Sequence, residues 1–394
     1  MGTAKTHVDG RETVELLKGL VRINSVNPSL VEGAPGEAEI AEFVAEYMRE
    51  IGLETRIEEV EPGRPNAVGI LKGAGDGPAL MLNGHLDTVG IGYMEIDPLD
   101  PVVKDGRLYG RGTNDMKGGL AAILSATKAL IDSGVELKGD LVVAGVCDEE
   151  YASIGTERLM DEVTADAAIV GEPTGLQIQV AHKGFAWIDV ETRGVAAHGS
   201  RPDEGVDAIA KMGKVLIEIE RLGDVDLKRK RHRLVGSPSI HASTIQGGRE
   251  LSTYPDYCKL QVERRMIPGE EDSDIEAEMS SLMTSISAED PKFQGGHCIT
   301  FVRGPMEISP EEEICQVLRG CVLDVSDREP QFIGSSGWLD TQIIWKHGTP
   351  SVAFGPRGAG SHAAVEFVEL NSVVEAAKIL ELAALRFCGT ESPS

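Results

Sequence analysis

The stretch Leu82-Asn-Gly-His-Leu-Asp87 decides how this chain is read. The apolar run Pro78-Ala-Leu-Met-Leu82 before it predicts a buried strand, and Gly84 frees the backbone where that strand ends. His85 and Asp87 follow two residues apart, so on extended backbone they share one face. An imidazole with a neighbouring carboxylate is a common metal-binding arrangement, the carboxylate fixing the ring's tautomer and orientation. A lone His-x-Asp is also an ordinary polar strand end, so the rest of the chain must decide.

At 394 residues the chain exceeds one typical core, and two domains are expected. It is 41% hydrophobic and 26% charged, an ordinary globular profile. Lys and Arg number 38 against 64 Asp and Glu, a formal net charge of −26. Such acidity argues against nucleic acid or an anionic membrane as partner, because binding phosphate needs a basic surface. The six cysteines are scattered with no Cys-x-x-Cys, which predicts reduced core thiols rather than disulfides or a thiolate zinc site. Cys147, two residues before Glu149, could be a catalytic thiol, but its place at the end of Leu141-Val-Val-Ala-Gly-Val-Cys147 favours a small core residue. Residues 1–6 lack an apolar signal core, and no uncharged apolar run approaches the ~18 residues of a membrane span. A soluble, cytoplasmic protein is expected.

Amphipathic helices are predicted over 11–26 and 37–51, and strands over 53–59, 66–72 and 78–84. Asp105-Gly106 signals a hairpin turn. A helix rich in small residues follows over 116–133, and 141–146 and 167–170 read as buried strands. This alternation predicts an α/β layer with a mostly parallel sheet, whose site forms at the carboxyl ends of its strands. Candidate ligands fall at those ends. Asp115 precedes a helix and could equally be its N-cap. Asp148-Glu-Glu150 ends a buried strand; it could be a solvated loop, yet adjacent acids repel unless a cation or proton compensates. Glu172 follows another apolar strand, and His362 lies in the glycine-rich loop after a strand at 351–354. Two divalent ions about 3.5–4 Å apart need one bridging carboxylate and roughly two further ligands each. His85, Asp115, Glu150, Glu172 and His362 supply that number. Imidazole with carboxylate suits Zn, with Co or Mn as alternatives. Glu149, beside Glu150, is the natural acid to remain unligated and take a proton from water.

The series Gly84-His-Leu-Asp87, Gly110-Arg-Gly-Thr-Asn-Asp-Met-Lys-Gly118, Asp148-Glu-Glu150, Gly171-Glu-Pro-Thr174 and Ser361-His362 resembles the co-catalytic dinuclear metallopeptidase and deacylase family. That family includes acetylornithine deacetylase, succinyl-diaminopimelate desuccinylase, aminoacylase and the glutamate carboxypeptidases. The resemblance implies a zinc-exopeptidase-like catalytic domain. It implies that His85, Asp115 and Glu172 hold one ion, and Asp115, Glu150 and His362 the other. Asp115 would bridge, Asp87 would orient His85, Glu149 would be general base and acid, and the Asp115–Met116 peptide would be cis.

From Lys183 the pattern changes to an α+β insert. Strands near 185–192, 239–246, 257–266 and 297–302 and helices over 206–222 and 273–286 predict a four-stranded antiparallel sheet with two helices. The division expected is 1–182 and 304–394 for the catalytic domain and 183–303 for the insert. The charge run 228–233 reads as a solvated loop. By the resemblance the insert is a lid that also makes a homodimer. His198 would then stabilise an oxyanion (it could also be a plain loop histidine), and Arg265 would grip a substrate carboxylate. Ser252 and Gly337 would be further substrate contacts. Two positions depart from the family pattern: Ser252 stands where Asn is usual, and Gly199 where Ser is usual. The expected reaction is hydrolysis of the amide of an N-acylated amino acid. A metallocarboxypeptidase or dipeptidase, and a non-catalytic binder of small molecules, are the alternatives.

Overall fold

The computed structural model describes residues 6–390. Residues 1–5, part of the segment read as lacking a signal core, lie outside that range. The chain forms two compact units, a larger one to Val180 with Ile308–Ile333 and from Leu339 onward, and a smaller one of Ala181–Glu307 with Gly334–Trp338.

The larger unit begins with helices α1 (Gly10–Arg22) and α2 (Ala38–Glu50). Asp9 caps α1 by accepting from the backbone N–H of Arg11 and Glu12. The helix stops before the expected residue 26 because Ile23 turns extended and Asn24 Oδ1 accepts from Val26 N. Strands β1 (Glu54–Glu61), β2 (Arg64–Leu71) and β3 (Leu80–His85) follow, then a hairpin of β4 (Val102–Lys104) and β5 (Arg107–Tyr109) across the Asp105-Gly106 turn. Next come α3 (Gly118–Asp132), β6 (Leu141–Val146), α4 (Ile154–Glu162), β7 (Ala167–Val170) and β8 (Ile178–His182), whose last two residues already belong to the smaller unit.

The smaller unit contains β9 (Gly184–Arg193), α5 (Ala208–Arg221), β10 (Ser239–Gly247), β11 (Tyr257–Met266), α6 (Asp272–Glu289), β12 (Gln294–Arg303) and the short β13 (Met306–Glu307). Its four-stranded sheet is antiparallel in the order β10-β11-β9-β12. Alternate residues of β9 (Ala186, Ile188, Val190) point to the helix side and pack with Met212 and Val215 of α5 and Ile275 and Met279 of α6. The stretch Gly334–Trp338 joins this unit because Trp338 packs edge-on against Phe185 and His182, and its Nε1 donates to Gly304 O. The charge run is only partly solvated: Lys230 Nζ donates to Glu270 and Glu278 at 2.8 and 3.2 Å.

The chain returns to the larger unit with α7 (Glu313–Ser326) and the start of β14 (Phe332–Ser335), whose last two residues belong to the smaller unit, then α8 (Thr341–Lys346), β15 (Ser351–Ala353), β16 (Gly358–Ala359), β17 (Phe367–Glu369) and α9 (Leu370–Cys388). The main sheet runs β1-β2-β6-β3-β7-β15-β8. Its four central strands, β6, β3, β7 and β15, are mutually parallel, while β1, β2 and β8 pair antiparallel at the edges. A second, small sheet, β16-β17-β5-β4, lays Phe367 opposite Tyr109. Helix α3 approaches the sheet so closely that a Cβ on Gly119 would lie 1.7 Å from Gly171 O. Only glycine fits there.

Five of the six cysteines are buried as expected, but Cys298 is exposed on β12, an edge strand. Burial pushes the Cys147 thiol well above its ordinary pKa, which removes it as a nucleophile. No helix among the described residues is long and apolar enough to cross a membrane.

Candidate active site

The four parallel strands deliver their following residues to one end of the sheet. His85 closes β3, Asp148-Glu149-Glu150 follow β6, Glu172 follows β7, and the loop after β15 leads to His362. Asp115 arrives from the turn just before α3, which starts at Gly118, so its carboxylate does not cap that helix. The Asp115–Met116 peptide is cis.

Asp115 presents its two oxygens to two different histidines. Oδ1 lies 3.2 Å from His85 Nε2, and Oδ2 lies 3.5 Å from His362 Nε2. Glu172 Oε1 is 3.8 Å from His85 Nε2, and Glu150 Oε2 is 2.9 Å from His362 Nε2. Two groups of three thus share Asp115, His85–Asp115–Glu172 and Asp115–Glu150–His362, with ligand atoms in each within 4.8 Å of one another. Glu150 Oε1 and Glu172 Oε1 are buried with no hydrogen-bond partner, a costly state for carboxylate oxygens unless a cation or proton meets them. The donor set and these orphaned oxygens fit a pair of divalent ions.

The electrostatics agree. Burial, then the nearby Asp115, raises the Glu150 pKa to about 7. Burial and Asp115 likewise hold Glu172 well above the usual carboxylate range. Glu149 is raised by burial and by the charge of Glu172. Burial alone would lower His85, but Asp115, Asp87, Glu172 and Glu149 together raise it well above its ordinary value. The site is an excess of carboxylate around too little positive charge.

Asp87 is fully buried and does more than the sequence indicates. The ring Nδ1 of His85 lies nearest the Asp87 main-chain oxygen, at 2.9 Å, and 3.5 Å from its carboxylate Oδ1. The carboxylate instead accepts from the backbone N–H of Glu149 and Glu150, each at 3.1 Å, and from Asn27 Nδ2 at 2.7 Å. Asn27 Nδ2 also reaches Asp148, which is paired with Arg64, itself forked onto Glu37 at 2.5 Å. A buried chain of charges therefore anchors the turn bearing Glu149. Asp340, also fully buried, accepts from Thr156 Oγ1 at 2.6 Å in the helix after that turn, and burial raises its pKa to about 6. Asn27, Arg64, Glu37 and Asp340 are absent from the sequence reading, since each acts through a partner far along the chain.

The remaining expected site residues lie in the smaller unit. His198 is exposed, its Nδ1 2.7 Å from Ser200 Oγ. Arg265 is held by Glu263 through Nε and Nη2, at 2.7 and 3.2 Å, and its guanidinium stacks over Phe185. Gly337 is exposed, its N–H donating to Ser335 Oγ. The two departures from the family pattern touch: Gly199 N–H donates to Ser252 O at 2.7 Å.

The sequence model of peptidase family M20/M25/M40 matches residues 81–386. This chain belongs to that family. N-formyl-4-amino-5-aminomethyl-2-methylpyrimidine deformylase of Bacillus subtilis (strain 168) is 31% identical over 94% of this chain and 93% of its own length. Acetylornithine deacetylase of Myxococcus xanthus is 29% identical over 92% of this chain and 93% of its own. Among solved structures, the aminopeptidase PepT of Bacillus cereus ATCC 10987 superposes with a TM-score of 0.79 over 97% of this chain and 99% of its own, at 20% identity. A metallo-carboxypeptidase of Sulfolobus solfataricus gives 0.75 at 18% identity, covering 96% and 99%. At these identities the structural likeness establishes the fold. This M20 protein is a hydrolase of that family.

Proposed function

We propose that this M20 hydrolase cleaves the amide bond of an N-acylated amino acid or a similar small amide, using two divalent ions. The observation that carries the reading is the division of Asp115, one oxygen toward His85 and the other toward His362. His85, Asp115 and Glu172 would hold one ion, and Asp115, Glu150 and His362 the other; imidazole with carboxylate favours zinc, with cobalt or manganese as substitutes. Bound there, the ions would supply Lewis-acid polarisation of the acyl carbonyl and lower the pKa of the attacking water.

The protein's own groups do the rest. Glu149, held in place by Asp87 through its backbone N–H and raised in pKa by burial, takes a proton from the water that attacks the acyl carbon. It returns that proton to the amine nitrogen as the C–N bond breaks, giving a carboxylic acid and a free amine. His198 would stabilise the oxyanion, and Arg265, with Ser252 and Gly337 as further contacts, would receive a substrate carboxylate. The relative from Bacillus subtilis is named for removing a formyl group and that from Myxococcus for removing an acetyl group, so both acyl groups belong in the test.

A homodimer through the smaller unit accompanies this reading. Strand β10 is an edge strand exposed along nearly its whole length, with Ile245 half-exposed, a surface suited to a second copy. The experiment is a hydrolysis panel of N-acetyl-, N-succinyl- and N-formyl-amino acids and dipeptides on zinc- and cobalt-loaded protein, with metal analysis and sedimentation of the same sample. Amide cleavage by protein holding about two ions per chain supports the proposal. Turnover unaffected by complete removal of metal would defeat it.

A further inference from the structure

Beyond the two groups of three that share Asp115 lies a second, fully buried charge pair. The side chain of Glu366 is 0% exposed and that of Arg111 is 2% exposed, with Arg111 Nη1 2.7 Å from Glu366 Oε2. Buried ion pairs cost desolvation and are seldom the most stabilising solution, so what else the pair holds is informative.

Glu366 accepts four hydrogen bonds. Besides Arg111, its donors are the backbone N–H groups of Gly112 at 3.0 Å, Asn114 at 2.8 Å and Asp115 at 3.0 Å. Three of those four donors are main chain of the loop that ends in Asp115. Glu366 also lies four residues beyond His362, immediately before β17, which pairs with β5. One carboxylate therefore joins the segment carrying Asp115 to the segment carrying His362.

Arg111 closes the same connection from the other side. Its Nη2 donates to Ala363 O at 3.2 Å, next to His362, and to the Tyr93 hydroxyl, which in turn donates to His362 O at 3.2 Å. Asn114 Nδ2 adds a bond to Ser361 Oγ at 2.7 Å. His362 itself sits at φ 60°, a conformation non-glycine residues adopt at a cost and keep only when their surroundings dictate it.

We propose that Glu366 and Arg111 are positioning residues: a buried clamp that sets the spacing of Asp115 and His362 and thereby the affinity for the ion between them. The inference rests on the two-ion reading above. The ion assigned to Asp115, Glu150 and His362 takes two of its three ligands from the clamped segments, whereas the other takes only Asp115. The clamp therefore acts unequally on the two ions.

The test is a titration of chelator-stripped protein with Co²⁺ and with Zn²⁺, against a competing chelator, with the cobalt visible spectrum as a second readout. Glu366→Gln removes the charge opposite Arg111 and leaves one carbonyl for four donors. It is expected to weaken one of the two ions by about 10–100-fold and alter its cobalt spectrum, with a much smaller change in the other. Glu381→Gln, which neutralises a different buried carboxylate bonded to His7, is expected to leave both affinities unchanged. Should Glu366→Gln fail to fold, Arg111→Lys and Tyr93→Phe decide, the latter altering an exposed side chain, with weakening of the same single ion expected. Wild-type affinities for both ions in a folded clamp variant, or an equal loss from Glu381→Gln, would overturn the proposal. A wild-type chain that takes up no divalent ion overturns the two-ion reading and the clamp together.

Discussion

Asp87 Oδ1 accepts a hydrogen bond from the backbone N–H of Glu149 at 3.1 Å, across sixty-two positions of sequence. Its Oδ2 accepts from Glu150 N and from Asn27, so one buried carboxylate fixes two of the turn's three acids and neighbours His85 as well. Asn at position 87 keeps the shape but turns an N–H₂ group toward donors. Asp87→Asn is therefore expected to lower kcat/KM by about 10–100-fold and to weaken metal retention, as changes behind metal ligands generally do. Steady-state kinetics with metal analysis of the dialysed variant checks it. A variant with unaltered kinetics would mean the turn is held adequately without this carboxylate.

Glu149 is assigned the proton transfers and no ion. Glu149→Gln keeps size and removes the base, so turnover should fall by at least the 10²–10⁴-fold typical of general-base loss, roughly, while metal content stays near wild type. Loss of metal in parallel with activity would place Glu149 among the ligands instead.

Stripped of metal, the site should make the fold sensitive to mild alkalinity. Glu149, Glu150 and Glu172 all have raised pKa values, that of Glu150 rising from 4.5 to about 7. Between those values the folded chain binds protons that the unfolded chain has released, so stability falls as pH rises. His85, raised by its acidic neighbours, acts in the same direction, since its stabilising charge is lost as pH climbs through its folded pKa. Asp87 and Asp115, both lowered, lose their contribution only in the acid range, below the ordinary carboxylate pKa. Melting of chelator-stripped protein is thus expected to show a falling midpoint from about pH 5 to pH 8, with Zn²⁺ restoring more at pH 8 than at pH 5. Metal binding displaces those protons, which is why the rescue grows with pH. A flat profile would mean that the carboxylates ionise freely in the metal-free fold.

How much of this could be read in advance follows from where each signal resides. His85, Glu150 and Glu172 are legible because each stands where an apolar strand run ends in a polar residue, a local pattern. Glu366 and Arg111 are not, because what defines them is a contact between positions 255 apart. Asp340, likewise, gains its meaning from Thr156, 184 positions away. Helix α9 escapes for another reason: it is buried over most of its surface, so its apolar residues form no single stripe for a 3.6-residue period to reveal. The apolar strand β8 offers only five residues, too few for periodicity to separate strand from helix. In the smaller unit, alternation in β9 and β11 is clear because one face meets the helices and the other does not.

The two departures from the family pattern are neighbours, which makes them testable as a pair. Gly199 N–H donates to Ser252 O at 2.7 Å, and a Cβ on Gly199 would sit 3.2 Å from that same oxygen, tighter than comfortable contact. Gly199→Ser alone should push the two segments apart by a few tenths of an ångström and disturb His198, the residue just before it. Ser252→Asn alone enlarges the side chain on the other partner. Because they share a contact, the two changes should not add: a double-mutant cycle on kcat/KM is expected to show a coupling of about 0.5–3 kcal/mol. Substrate preference across the acyl panel should shift more in the double variant than the single effects sum to. Additivity within about 0.5 kcal/mol would mean that each position influences catalysis by itself, and the paired departure would then say nothing about specificity.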